Sequence, residues 1–154
     1  MTNLVISSSL NPKSRSRLLA LIAFKTLKNL GESVDWLDLA DHSIPFCDGD
    51  STYKNSKVKE LREKIQNAKG VIFAVPIYNY DVNAAAKNLI ELTGDAWTNK
   101  VVGFLCAAGG KGSYMSVMSL ANSLMLDFRC LIIPRFVYST GEDFEEGEVI
   151  DPKV

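Results

Sequence analysis

The chain has 154 residues, of which 47% are apolar and 23% charged, with a formal net charge of −1. That length suits one domain, and the balance of apolar and charged residues excludes a disordered class. Without a basic block, nucleic acid and anionic membranes are not expected as partners, and no apolar run nears the ~18 residues of a membrane span.

The first element is a short buried-strand pattern, Leu4-Val5-Ile6, within Asn3 to Ser7. The opening MTNLVISSS has no basic leader region and does not read as a signal peptide. From Ser14 the pattern turns helical: Leu19, Ala23, Leu27 and Leu30 recur at helical spacing until Gly31 stops the run. Ser33 to Leu39 reads as a second strand. After a loop rich in Asp, Ser and Gly, Val58, Leu61, Ile65 and Ala68 mark a second helix. Val71 to Val75 is a continuous, β-branched third strand expected to end at Pro76, followed by a helix over 84–93. Val101 to Cys106 gives a fourth strand. Tyr114, Val117, Met118, Ala121, Met125 and Phe128 recur at helical spacing, and Cys130 to Ile133, closed by Pro134, gives a fifth strand.

This is β-α five times over, with strands apolar on both faces, which belong in a parallel sheet covered by helices on both sides. The predicted fold is α/β: a three-layer, doubly wound, five-stranded parallel sheet in the flavodoxin-like order 2-1-3-4-5, with residues 1–154 as a single domain. Asp151-Pro152-Lys153 reads as the start of a further helix that the sequence does not go on to supply. Such a helix would cover the outer flank of the sheet beside the fifth strand.

Cys47, Cys106 and Cys130 lack CxxC spacing and fit a reducing, cytoplasmic setting, with Cys106 and Cys130 expected as buried, inert thiols. His42 is the single histidine, which argues against a histidine metal cluster or a Ser-His-Asp triad.

In a doubly wound sheet, ligands sit in the loops after the carboxyl ends of the strands. The first loop runs from Ser7 to Arg17. Ser9, Ser14 and Ser16 offer hydroxyl donors to a phosphate at a helix amino terminus, with Asn11 and Arg15 beside them. It has neither GxGxxG nor GxxxxGK[ST]. The loop after the third strand, Pro76-Ile77-Tyr78-Asn79-Tyr80, offers backbone polar groups and π surface to a flat heterocycle. The loop after the fourth strand, Ala107-Ala108-Gly109-Gly110-Lys111-Gly112-Ser113, lets backbone approach a ligand closely. A phosphate at one end and a planar polar ring between the other two loops describe FMN.

These residues carry a resemblance. Ser9 through Arg17 fits S-x-x-x-x-S-x-S-R, Pro76 to Tyr80 fits P-x-Y-N-x, Lys87-Asn88-Leu89-Ile90-Glu91 fits K-N-x-I-[DE], and Gly109-Gly110-Lys111-Gly112 fits a glycine-rich loop. In these motifs the chain resembles the NADPH-dependent FMN reductase family, which includes flavin, quinone, azo-dye and chromate reductases. The resemblance implies that Ser9, Asn11, Ser14, Arg15 and Ser16 hold the FMN phosphate. It places Pro76, Ile77, Tyr78, Asn79 and Tyr80 beside the ribityl chain and ring, and Ala108, Gly109, Gly110, Lys111 and Gly112 at the pyrimidine edge.

The resemblance further implies an NAD(P)H oxidoreductase, with NADPH or NADH as co-substrate and a small-molecule electron acceptor, working as a homodimer or homotetramer. A flavodoxin-type electron carrier and a flavin-free interaction domain of the same fold are the competing readings. Four positions depart from the family pattern. Ser8 stands in place of the usual glycine, Asn11 in place of a frequent arginine, Ile77 in place of a frequent glutamate, and Asn83 in place of a common proline.

Overall fold

Leu4, Val5 and Ile6 point alternately to both sides of their strand, and all three are covered, because the strand lies inside the sheet rather than at its edge. The computed structural model describes residues 2–145 and 147–151. Its elements, in chain order, are β1 (Thr2–Ser7), α1 (Arg15–Asn29), β2 (Val34–Asp38), α2 (Ser56–Asn67), β3 (Ala68–Tyr78), β4 (Asp81–Val82), α3 (Ala84–Thr93), β5 (Val101–Ala107), α4 (Met118–Phe128), β6 (Leu131–Ile132), β7 (Val137–Ser139), β8 (Phe144–Glu145) and β9 (Glu148–Val149).

The main sheet runs β2-β1-β3-β5-β6, every neighbouring pair on that path parallel. With β6 and β7 as the two pieces of one fifth strand along β5, this is the expected flavodoxin-like order.

Four details differ from the sequence reading. The fifth strand does not end at Pro134: it breaks there and resumes at Val137, because proline has no N–H for the ladder and Arg135 turns the chain at φ 58°. The third strand does not end at Pro76 but runs on to Tyr78. Ser7, the last residue of β1, pairs with Ala74, so at Pro76 that neighbour has already ended and no ladder bond is lost. Ala68 belongs to β3 rather than to α2. Lys111–Val117 forms 3₁₀ turns, so Tyr114 and Val117 precede α4 rather than lie in it.

The main core lies between the sheet and α2, α3 and α4, where Phe73 stacks on Trp97 and on Phe104 with centroids 5.5 and 6.3 Å apart. Cys106 and Cys130 are buried in it, as expected. Burial pushes the Cys106 thiol up to about 12. Val5, Ala20 and Ala74 pack beneath α1 on the other face. Among the described residues α1 is the one helix there, and Val101, Leu131 and Ile133 stay exposed beside it. The predicted helix start at Asp151-Pro152-Lys153 lies, from Pro152 on, outside the described residues. Among the described residues no helix is long and apolar enough to cross a membrane, and no cluster of His, Cys, Asp and Glu is arranged to hold a metal.

Gly31 ends α1 as expected, at φ 78°, with its N–H donating to the Lys28 carbonyl. At the other end, Ser14 accepts from the Arg17 N–H and caps the helix. That capped end is where the cleft begins.

Candidate functional site

Parallel strands deliver their carboxyl ends to one edge of the sheet. There the loops after β1, β3 and β5 line a single cleft of about 960 Å³. Of the residues expected from sequence, Ser9, Asn11, Ser14, Arg15, Ser16, Pro76, Ile77, Tyr78, Asn79, Tyr80, Ala108, Gly109 and Gly110 line it together. Lys111 and Gly112 do not. Lys111 turns away to an exposed ion pair with Glu142 at 2.9 Å, which raises its pKa, and Gly112 sits against the Tyr80 hydroxyl. Lys13, Ala107 and Ser113 line the cleft and were not singled out from sequence. Each is adjacent in the chain to residues that were.

The first loop is a run of side-chain-to-backbone turns. Ser9 Oγ accepts from the Asn11 N–H at 3.3 Å, and Asn11 Oδ1 accepts from the Lys13 N–H at 2.9 Å. Arg17 holds the loop from below. Its Nε and Nη2 donate to the two Asp38 carboxylate oxygens at 2.5 and 3.2 Å, and its Nη1 donates to the carbonyls of Asn11 and Pro12. Arg17 therefore positions the loop and is not itself part of the lining.

Ser9, Ser14 and Ser16 are buried, yet their hydroxyls are not all committed. Ser14 and Ser16 share one hydrogen bond at 2.9 Å, so whichever donates, the other's proton has no acceptor among the described residues. The Ser9 hydroxyl accepts but does not donate. The N–H groups of Arg15 and Ser16, in the first turn of α1, also have no acceptor among the described residues. Buried donors converging at the positive end of a helix dipole suit an acceptor-only anion, which describes a phosphate.

The second loop is a hairpin. β3 pairs antiparallel with β4, Tyr78 opposite Asp81, and the turn between them is Asn79-Tyr80, both at positive φ (51° and 64°). A tyrosine there costs roughly 1–2 kcal/mol, and backbone strain of this kind collects at binding sites. The Tyr80 hydroxyl lies 3.2 Å from where a side chain on Gly112 would begin, so Tyr80 reaches from the second loop to the third. Asn83 fastens this hairpin to the first loop: its Nδ2 donates to the Ser8 carbonyl at 2.8 Å and its N–H to the Pro76 carbonyl at 3.2 Å.

The third loop is pinned from outside the cleft. The Ala108 N–H donates to the Ser139 carbonyl at 2.8 Å. Tyr138 donates its hydroxyl to the Gly110 carbonyl at 2.7 Å, so the Ser113 hydroxyl donates to Tyr138, also at 2.7 Å. Gly109 and Gly110 have open space where a side chain would begin, and neither needs positive φ. The fold itself does not require glycine at either position. What glycine leaves there is room for a flat ligand to approach the backbone.

Among the described residues no Asp, Glu, His or Cys lines the cleft.

The model of the NADPH-dependent FMN reductase family matches residues 1–145 of this chain. A relative from Geobacillus thermodenitrificans, an NAD(P)H-dependent FAD/FMN reductase, is 30% identical over 125 residues, covering 79% of this chain and 67% of its own. An NADPH azoreductase from a Bacillus species is 25% identical over 114 residues, covering 73% of this chain and 64% of its own. The chain therefore spans about two thirds of the length of these curated relatives. Among solved structures, the flavoenzyme NAD(P)H:(acceptor) oxidoreductase of Paracoccus denitrificans superposes with a TM-score of 0.78 at 20% identity, covering 99% of this chain and 87% of that one, which shows the shared fold.

Proposed function

The chain belongs to the NADPH-dependent FMN reductase family, and on that premise we propose that it binds FMN in this cleft and works as an NAD(P)H-dependent oxidoreductase. The observation that carries the reading is the cleft's polarity. Uncommitted buried donors gather at one end, around Ser9, Ser14 and Ser16, and backbone stripped of side chains lies at the other, at Gly109 and Gly110.

In this reading Ser9, Ser14, Ser16 and the first N–H groups of α1 hold the phosphate, with Asn11 and Arg15 at its rim. Pro76, Ile77, Tyr78, Asn79 and Tyr80 border the ribityl chain and one side of the ring, and Ala108, Gly109 and Gly110 face its pyrimidine edge. Lys111 and Gly112 act from behind, Lys111 by fixing the loop to Glu142 and Gly112 by leaving space for the Tyr80 hydroxyl.

Bound FMN supplies the hydride chemistry, between NADPH or NADH and a flavin, quinone, azo or metal-ion acceptor. The protein's part is to orient the ring. The 3₁₀ turns after Gly110 and the strained hairpin at Asn79-Tyr80 set the opening through which both co-substrates reach it. The three unpaired thiols, two of them buried, support a cytoplasmic setting.

We read the chain as one flavin-binding domain whose open sheet flank beside α1 takes a further helix. Family resemblance supports a homodimer or homotetramer, and exposed Tyr78, Tyr80, Tyr114 and Met115 near the cleft supply apolar surface for it.

The test is retention of FMN by purified protein through gel filtration, read by its visible absorption. Stoichiometric flavin supports the reading. Protein emerging without flavin after incubation with excess FMN contradicts it.

A further inference from the structure

We propose that Lys13 is the side chain by which this cleft selects a phosphorylated flavin over an unphosphorylated one, an assignment that rests on the flavin reading above. The argument begins from the cations around the first and third loops: Lys13, Arg15, Arg17 and Lys111.

Two of them are neutralised. Arg17 is held by both oxygens of buried Asp38, and Lys111 by Glu142 at 2.9 Å, outside the cleft lining. Arg15 carries its charge toward the neighbouring turn. Its guanidinium lies over the Phe144 ring, 5.6 Å from the centroid, and its Nη1 is 3.1 Å from where a side chain on Gly141 would begin. Lys13, like Arg15, lines the cleft beside Ser9, Ser14 and Ser16 and has no carboxylate partner among the described residues, but it has no ring contact to hold its charge aside.

Asn11 is the reason Lys13 is there. Its Oδ1 accepts from the Lys13 N–H at 2.9 Å, an Asx turn that, with Pro12 between, swings residue 13 over the amino end of α1. Asn11 is thereby a turn-former before it is a ligand. Among the described residues no carboxylate lines the cleft, and a ligand phosphate supplies the counter-charge for the Lys13 ammonium. A compact ammonium on a flexible stem meets a terminal phosphate as a point charge, without the planar geometry an arginine needs. An unphosphorylated flavin brings no such charge and gains nothing from it.

The test measures FMN and riboflavin dissociation constants for the full chain by flavin fluorescence, in wild type, Lys13→Gln, Lys13→Arg and Arg15→Gln. The expected result is an FMN affinity about tenfold or more weaker in Lys13→Gln, with riboflavin affinity unchanged and Lys13→Arg recovering most of the loss. The salt dependence of FMN binding also flattens in Lys13→Gln, since a screened charge pair has gone. Unchanged FMN affinity in Lys13→Gln overturns the assignment. So does equal loss for both flavins, or a preference that disappears in Arg15→Gln instead. Wild type that binds neither flavin overturns the flavin reading as well, and is distinguished from those outcomes by the wild-type measurement alone.

Discussion

Ser8 and Asn83 are hydrogen-bonded to each other twice: the Ser8 hydroxyl donates to Asn83 Oδ1 at 2.8 Å, and Asn83 Nδ2 donates to the Ser8 carbonyl at 2.8 Å. Both are buried, and they join the loop after β1 to the start of α3. In sequence these are two separate departures from the pattern of the family the chain resembles; the hydrogen bonds make them one unit. Replacing either alone leaves a buried polar group unpaired. A double-mutant cycle of Ser8→Ala and Asn83→Ala, followed by urea denaturation, is expected to show a coupling of about 1 kcal/mol. Additivity to within about 0.3 kcal/mol would contradict the pairing.

Arg17→Gln leaves the buried Asp38 carboxylate without its bidentate partner and frees the carbonyls of Asn11 and Pro12. The cost is expected to be about 2–4 kcal/mol of unfolding free energy, because an uncompensated buried charge is the dearest outcome of breaking such a pair. FMN affinity is expected to fall as well, since the first loop loses its strut. Urea midpoints and a flavin titration on the same preparation check both.

Gly109→Ala and Gly110→Ala separate fold from function. The space beyond each is open, so stability is expected to hold or to rise by up to about 1 kcal/mol through loss of unfolded-state freedom. FMN binding is expected to weaken about tenfold, because the new methyl group occupies the approach to the ring. Weaker flavin binding that came with an equal loss of stability would instead make these glycines structural.

The pH prediction concerns Cys106. Burial holds its folded pKa near 12, against an ordinary value of 9.0, so the folded state keeps a proton that the unfolded chain gives up. Stability from this group is complete below about pH 9 and is lost as pH rises toward 12, at up to about 1.4 kcal/mol per pH unit. Cys106→Ala should flatten that alkaline slope. A thiol reagent at pH 8 is expected to label half-exposed Cys47 and to leave Cys106 and Cys130 unmodified until the protein unfolds.

Most of the fold was legible because the strands are short runs apolar on both sides, as at Leu4-Val5-Ile6 and Val71 to Val75, and those runs require a covered parallel sheet. Proline misled at both strand ends. Pro76 and Pro134 read as stops, yet one lies beyond the end of its neighbouring strand and the other only interrupts. Whether a proline ends a strand depends on what lies alongside it, which local sequence does not record.

The cleft was legible loop by loop, since serines before a helix and glycines after a strand are local signals. Lys13 was not, because a surface lysine looks like any other until the Asn11 turn brings it over the helix end. The Tyr138–Ser113–Gly110 contacts join residues well separated in the chain and have no local signal.

The most direct test of the central claim is anaerobic. Protein carrying FMN is mixed with NADPH, and separately with NADH, while the visible absorption of the oxidised flavin is followed. Bleaching by either nicotinamide, reversed on adding a quinone, is the predicted result. Bound flavin that stays oxidised with both nicotinamides would contradict the oxidoreductase account and leave the chain an electron carrier of the same fold.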